Sequence, residues 1–170
     1  MNIGDLAQIL EDHFSPKARD ITRFAGTGCS FEEWLNWEQF SAFTALALEC
    51  SPKPPYKTHF TGHASAQLGD IAIWAKDGTT WLVETSLVHA YTQKKWKTKI
   101  TEDRGKLEGA VGRGIRKVQL IVLCSDVETD LQARWGYWFE DMPFWAAPDS
   151  EKSFSDGEQG EVCFLLWEVE

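Results

Sequence analysis

Two short apolar runs, Ile71-Ala72-Ile73-Trp74 and Trp81-Leu82-Val83, lie on either side of Asp77-Gly78, and each is edged by an acid, Asp70 before the first and Glu84 after the second. β-Branched and aromatic residues around Asp-Gly predict a β-hairpin from Leu68 to about Thr85. A carboxylate inside such a strand costs stability unless something pairs with it. The loop decides whether these two meet. A two-residue loop, Asp77-Gly78, pairs Lys76 with Thr79 and turns Glu84 to the face opposite Asp70. A three-residue loop, Lys76-Asp77-Gly78, pairs Ala75 with Thr79 and sets Asp70 directly across from Glu84. Asp-Gly suits the second as a type I turn closed by a left-handed glycine. Directly opposed side chains on one face have Cβ atoms roughly 4.5–5.5 Å apart. At ~5 Å and an effective dielectric of ~20, two carboxylates repel by about 3 kcal/mol. A divalent cation removes that penalty, and so does a proton. In the other register the pair is two solvated acids on an edge hairpin.

The chain of 170 residues has the size of a single domain, and 43% hydrophobic composition supplies a core. No run of about 18 apolar residues is present, so no transmembrane helix is expected, and Met1 to Glu11 lacks the pattern of a signal peptide. Cys29, Cys50, Cys124 and Cys163 are scattered without a Cys-x-x-Cys pair, which argues against a zinc ribbon. Cys124 and Cys163 sit in apolar runs and read as buried thiols, so the expected compartment is a reducing cytoplasm.

The formal net charge of −9 is unevenly spread. Lys94 to Lys117 holds nine basic and three acidic residues, whereas Asp126 to Glu170 holds twelve acidic and two basic. This predicts a basic face on an acidic body. The basic face suits phosphates, and the acidic remainder either opposes nucleic acid at long range or attracts a basic protein. Nine tryptophans are expected mostly in the core.

Periodicity predicts a helix from Ile3 to Phe14 and a second one opened by a Ser30/Glu33 capping box and running to about Glu49. Ser51 to Pro55 ends it, and Tyr56 to Ala66 reads as a strand or an irregular approach. A helix follows from Tyr91 to Val111, with Trp96, Ile100, Leu107 and Val111 inward and Lys95, Lys99 and Lys106 mostly outside that face. Val118 to Cys124 reads as a buried strand of a mixed sheet. Asp126 to Trp135 suggests a helix, Trp138 to Gly160 irregular chain, and 162–169 a last strand.

This order, with Asp70 and Glu84 on adjacent hairpin strands, resembles the PD-(D/E)XK, or restriction-endonuclease-like, nuclease superfamily. The resemblance covers about residues 30–125 of a single domain, 1–170, and leaves an acidic C-terminal extension. It implies an α/β fold, a mixed central sheet flanked by helices with an α-β-β-β-α-β core. It also implies metal-dependent phosphodiester hydrolysis of DNA or RNA, with Asp70 and Glu84 as ligands for Mg²⁺ or Mn²⁺. Trp96, Lys99-Ile100, Asp103 and Lys106-Leu107 look like the helix that follows the motif in some members. Glu33 or Glu38 would be an extra acid, and Gln93 stands where some members carry glutamine. Ser86 departs from the family, which has a lysine there that helps activate water. A borrowed lysine (Lys94, Lys95, Lys97 or Lys99), activity on metal alone, or a catalytically dead relative kept for binding are the alternatives. With a borrowed lysine, the resemblance implies Asp70, Glu84, Lys95 and Lys99 as catalytic residues, and Lys94, Lys97, Arg104 and Lys106 as contacts to nucleic acid. A homodimer is possible, as in many members.

The second reading is a non-enzymatic acidic protein, immunity- or antitoxin-like, that neutralises a basic nuclease toxin. Ser86 and the net negative charge support it, and acidic surface speeds association with a basic partner. His59 and His63 are four apart, but Thr58 to His63 looks extended or turn-like, so joint metal binding is not expected. His89 follows Glu84 closely, which brings the same site within reach, but it reads as a surface residue.

Overall fold

The hairpin forms with the three-residue loop. In the computed structural model, which describes residues 1–59, 67–92, 96–127, 131, 139–140, 142 and 147–170, Ala75 N–H donates to the Thr79 carbonyl at 2.9 Å and Gly78 N–H to the Ala75 carbonyl at 3.0 Å. Gly78 takes φ +83°, the left-handed region that spares glycine a Cβ clash. Asp77 Oδ1 accepts from Thr79 N–H at 2.9 Å and tightens the turn. The strands are β2, Ile71–Trp74, and β3, Thr80–Val88, paired Ile71 with Val83 through Trp74 with Thr80. One further step of that register sets Asp70 across from Glu84.

Around the hairpin the chain runs α1 (Ile3–Phe14), α2 (Ala18–Gly26), α3 (Glu32–Ala45), β1 (Glu49–Pro52), a single turn α4 (Tyr56–His59), then β2 and β3, α5 (Trp96–Gly109), β4 (Ile115–Ser125), β5 (Ser150–Ser155) and β6 (Glu161–Val169). The described strands form one sheet in the order β1-β2-β3-β4-β6-β5. β1, β2 and β3 are antiparallel neighbours, and α5 carries the chain across to β4, which pairs with β3 in parallel. The architecture is therefore α/β with a mixed sheet. The last strand is not an appendage, since it pairs with β4 along nine residues.

Alternation along the strands explains the layers. Trp81, Val83, Val118, Leu120, Val122, Val162, Phe164 and Leu166 face a core filled by Leu6, Leu10 and Phe14 of α1, Ile21 of α2 and Leu35 and Phe43 of α3. Their neighbours Val88, Ile121, Leu123, Cys163 and Leu165 face Trp96 and Ile100 of α5. With both faces covered, β4 reads as a continuous apolar run, as expected. Among the described residues no helix is long and apolar enough to cross a membrane.

Several boundaries differ from the expectation. The helix expected from Ser30 begins one residue after Phe31, which caps it without a side-chain bond, so the Ser30/Glu33 box does not form. The capping box lies instead on α1, where Asn2 and Asp5 exchange bonds of 2.9 and 2.8 Å. α3 stops at Ala45, not near Glu49. Leu48 N–H bonds to the Phe43 carbonyl and Ala47 N–H to the Thr44 carbonyl, with Ala47 at φ +55°, a Schellman-type ending. α2 and β1 were not expected, and β5 falls inside the stretch read as irregular. The approach from Tyr56 opens as a helical turn; the rest of it lies outside the described residues, as does most of the helix suggested from Asp126.

Candidate active site

Even positions of β3 face α5, so Glu84 and Ser86 point the same way as Leu82 and Val88. Thr85, on the other face, meets Gln39 of α3 at 3.0 Å. Asp70 sits at the lip of the sheet and is 7% exposed. Its Oδ1 accepts from Asn36 Nδ2 at 3.0 Å and from Lys53 Nζ at 3.2 Å, and its Oδ2 from Thr85 N–H at 2.8 Å. Glu84 is 1% exposed. The Tyr56 hydroxyl donates to its Oε1, and Lys106 Nζ lies 3.4 Å from its Oε2. Burial, and then the neighbouring Asp70, push the Glu84 carboxyl up to about 8. Burial and the adjacent Glu84 also drive the Tyr56 phenol far up, so it stays a neutral donor.

α5 carries a second charged layer. Asp103, 2% exposed, accepts from Ser86 Oγ at 3.0 Å and Lys99 Nζ at 2.5 Å on Oδ2, and from Lys106 Nζ at 2.6 Å on Oδ1. Lys99 also reaches Glu32 at 3.2 Å and the Thr85 carbonyl at 3.2 Å. Burial works against the Lys99 charge, but Glu32 and Asp103 outweigh it and hold the ammonium above its ordinary range. Lys106 behaves likewise beside Glu84 and Asp103. Burial raises the Glu32 carboxyl, and Lys99 only partly offsets it. Four carboxyl groups (Glu32, Asp70, Glu84, Asp103) thus alternate with three ammonium groups (Lys53, Lys99, Lys106).

Asp70, Glu84 and Lys99 are brought into this cluster. Lys106 joins it too, and neither lysine lies outside the inner face of α5 as expected; each reaches over the edge of that face onto buried Asp103. Arg104 is held by Glu108 at 3.2 Å and Gln119 at 3.3 Å. Lys97 lies over the ring of Trp96, 5.3 Å from its centre. Lys94, Lys95 and Gln93 lie outside the described residues, as does His63. Glu38 is away from the cluster, paired with Lys17 at 2.9 Å and His13 at 2.7 Å. Glu33 touches only its margin, through Lys53 at 3.2 Å. His89 is not on the surface: it is 1% exposed and stacked on Phe31 at 6.1 Å, and burial lowers its basicity.

Sequence reasoning missed Glu32, Asn36 and Gln39, which face the site from α3, Lys53 from the loop after β1, and Tyr56 from the start of α4. The spacing 32, 36, 39 is one helix face, and a polar stripe on an otherwise apolar helix was the available signal.

Among the described residues no group of three or more His, Cys, Asp or Glu side chains is placed to hold a metal ion. Two carboxylates do fit the protein's share of a Mg²⁺ site, since this ion keeps waters and takes phosphate oxygens for the rest. The mutual effect of Asp70 and Glu84 fits as well, because an added cation relieves it. No family model, curated protein or solved structure matches the chain.

Proposed function

We propose that the chain is a metal-dependent nuclease of PD-(D/E)XK type, with α3, β1, β2, β3, α5 and β4 as its α-β-β-β-α-β core and the single turn α4 inserted between β1 and β2. The observation that carries this reading is the register that opposes Asp70 and Glu84, with two α5 lysines converging on Glu84 and on the carbonyl next to Ser86. Asp70 and Glu84 would hold Mg²⁺ or Mn²⁺, which supplies phosphoryl polarisation and a water acidic enough to attack. Asn36 and the Thr85 amide orient Asp70, and Tyr56 orients Glu84. Lys99 and Lys106 bring to this place the positive charge that Ser86 lacks, where fixed cations stabilise charge that develops during transfer. In this reading Lys99 is a catalytic lysine, and Lys106 is assigned to the same site because it meets Glu84 and Asp103. The test is cleavage of plasmid DNA, single-stranded DNA and RNA with Mg²⁺ or Mn²⁺. Cleavage that vanishes in EDTA and in both Asp70→Asn and Glu84→Gln supports the reading; no cleavage of any substrate with either ion sinks it.

One observation favours the acidic binding reading. Lys99 already meets Glu32, Asp103 and Thr85, and Lys106 meets Asp103 and Glu84, so the cluster can serve as a self-neutralised scaffold. That reading predicts a tight complex with a basic nuclease whose on-rate falls steeply with salt, and salt-independent association would count against it.

A further inference from the structure

Lys53 is unusual on two independent counts. Its backbone lies at φ +51°, between Pro52 and Pro54, in a region where a residue with a Cβ is strained. Its ammonium reaches Asp70 at 3.2 Å. The main chain ties the same two places together: Lys53 N–H donates to the Asp70 carbonyl and Gly69 N–H to the Pro54 carbonyl, both at 2.9 Å. Strain kept in a loop that is pinned to a reactive-looking carboxylate points to use of the side chain.

The three lysines of the cluster differ in what holds them. Lys99 and Lys106 are bound to Asp103, which is 2% exposed. Drawing either away strips a buried carboxylate of a counter-charge, which is strongly unfavourable. The second partner of Lys53 is Glu33, whose side chain is 64% exposed. Such a solvent-screened pair contributes little. A phosphate oxygen can replace Glu33 without uncovering a buried charge, and the resulting charge-assisted bond is a strong one.

We propose that Lys53 is the lysine that exchanges Glu33 for a substrate phosphate beside Asp70, an assignment that rests on the nuclease reading above. The phosphate belongs to a DNA or RNA backbone, and Lys53 contacts it without reading a base.

Fluorescence anisotropy of labelled DNA and RNA oligonucleotides in EDTA tests this without turnover. Lys53→Met should weaken binding several-fold and make the log–log salt slope shallower by about one, as expected for one lost phosphate contact. Lys53→Arg should restore the slope. Lys53→Gly should melt above Lys53→Met, because both lose the charge and only glycine relieves the backbone. In cleavage assays Lys53→Met should raise KM more than it lowers kcat. A Lys53→Met variant that binds with the wild-type affinity and salt slope overturns the proposal, and so does a Lys53→Gly variant that melts below Lys53→Met. Wild-type protein that neither binds nor cleaves brings down the nuclease reading and this proposal together. Wild-type cleavage that Lys53→Met leaves unchanged removes Lys53 alone.

Discussion

Replacing Glu84 by glutamine should change stability by an amount that depends on pH. Folded Glu84 keeps its proton to about pH 8, against an ordinary value of 4.5. Between those values the folded chain binds more protons than the unfolded one, so stability falls as pH rises through the window. At ~1.4 kcal/mol per pH unit, the full loss has an upper limit of about 5 kcal/mol, and water penetration on relaxation reduces it. Glutamine has the shape of the protonated side chain and does not titrate. The variant should therefore match the wild type within ~1 kcal/mol near pH 5 and exceed it by ~2 kcal/mol or more near pH 8.5. Urea unfolding followed by tryptophan fluorescence, on both proteins across that range, reads the difference directly. A difference that stays constant with pH, or a wild type that gains on the variant as pH rises, refutes the claim that Glu84 is destabilised by burial and Asp70.

Gly78→Ala puts a Cβ at φ +83°, which should cost about 1–2 kcal/mol in the same unfolding experiment; a neutral result would mean the three-residue loop is not what sets the register. Asp103→Ala removes the buried acceptor of Ser86, Lys99 and Lys106. Because both ammonium groups keep other partners and some solvent, the loss should be about 2–3 kcal/mol, below the range for a wholly stranded buried charge. A loss under ~0.5 kcal/mol would show that the network is not formed in solution.

The site was half legible in the chain. Asp77-Gly78 and the apolar runs beside it restricted the hairpin to two registers, and the observed one brings Asp70 and Glu84 together. The long apolar run of β4 and the inner face of α5 at Trp96, Ile100 and Leu107 were readable for the same reason, since burial leaves a plain hydrophobic signal; Val111, expected on that face, instead lies beyond the end of α5 and is 60% exposed. β1 was hidden by Pro52, tolerable there because β1 is an edge strand. β5 was hidden because Ser150–Ser155 alternates half-buried with exposed residues of polar type, again at an edge. On α3, Glu32 meets Lys99, Glu33 reaches only Lys53 at the margin, and Glu38 pairs with Lys17 and His13; neighbouring acids on a helix cannot be told apart until the docking angle is known. Lys53 and Tyr56 reach the site only through the fold of the segment between β1 and α4, and no spacing in the sequence joins them to Asp70 or Glu84.

Calorimetric titration of Mn²⁺ into the protein at about pH 8.5, where Glu84 has lost its proton, tests the two-carboxylate site most directly. The account predicts one ion per chain, weaker binding near pH 6.5 with protons released on association, and no binding to Asp70→Asn or Glu84→Gln. Equal binding by wild type and both variants, or none by the wild type, would contradict it.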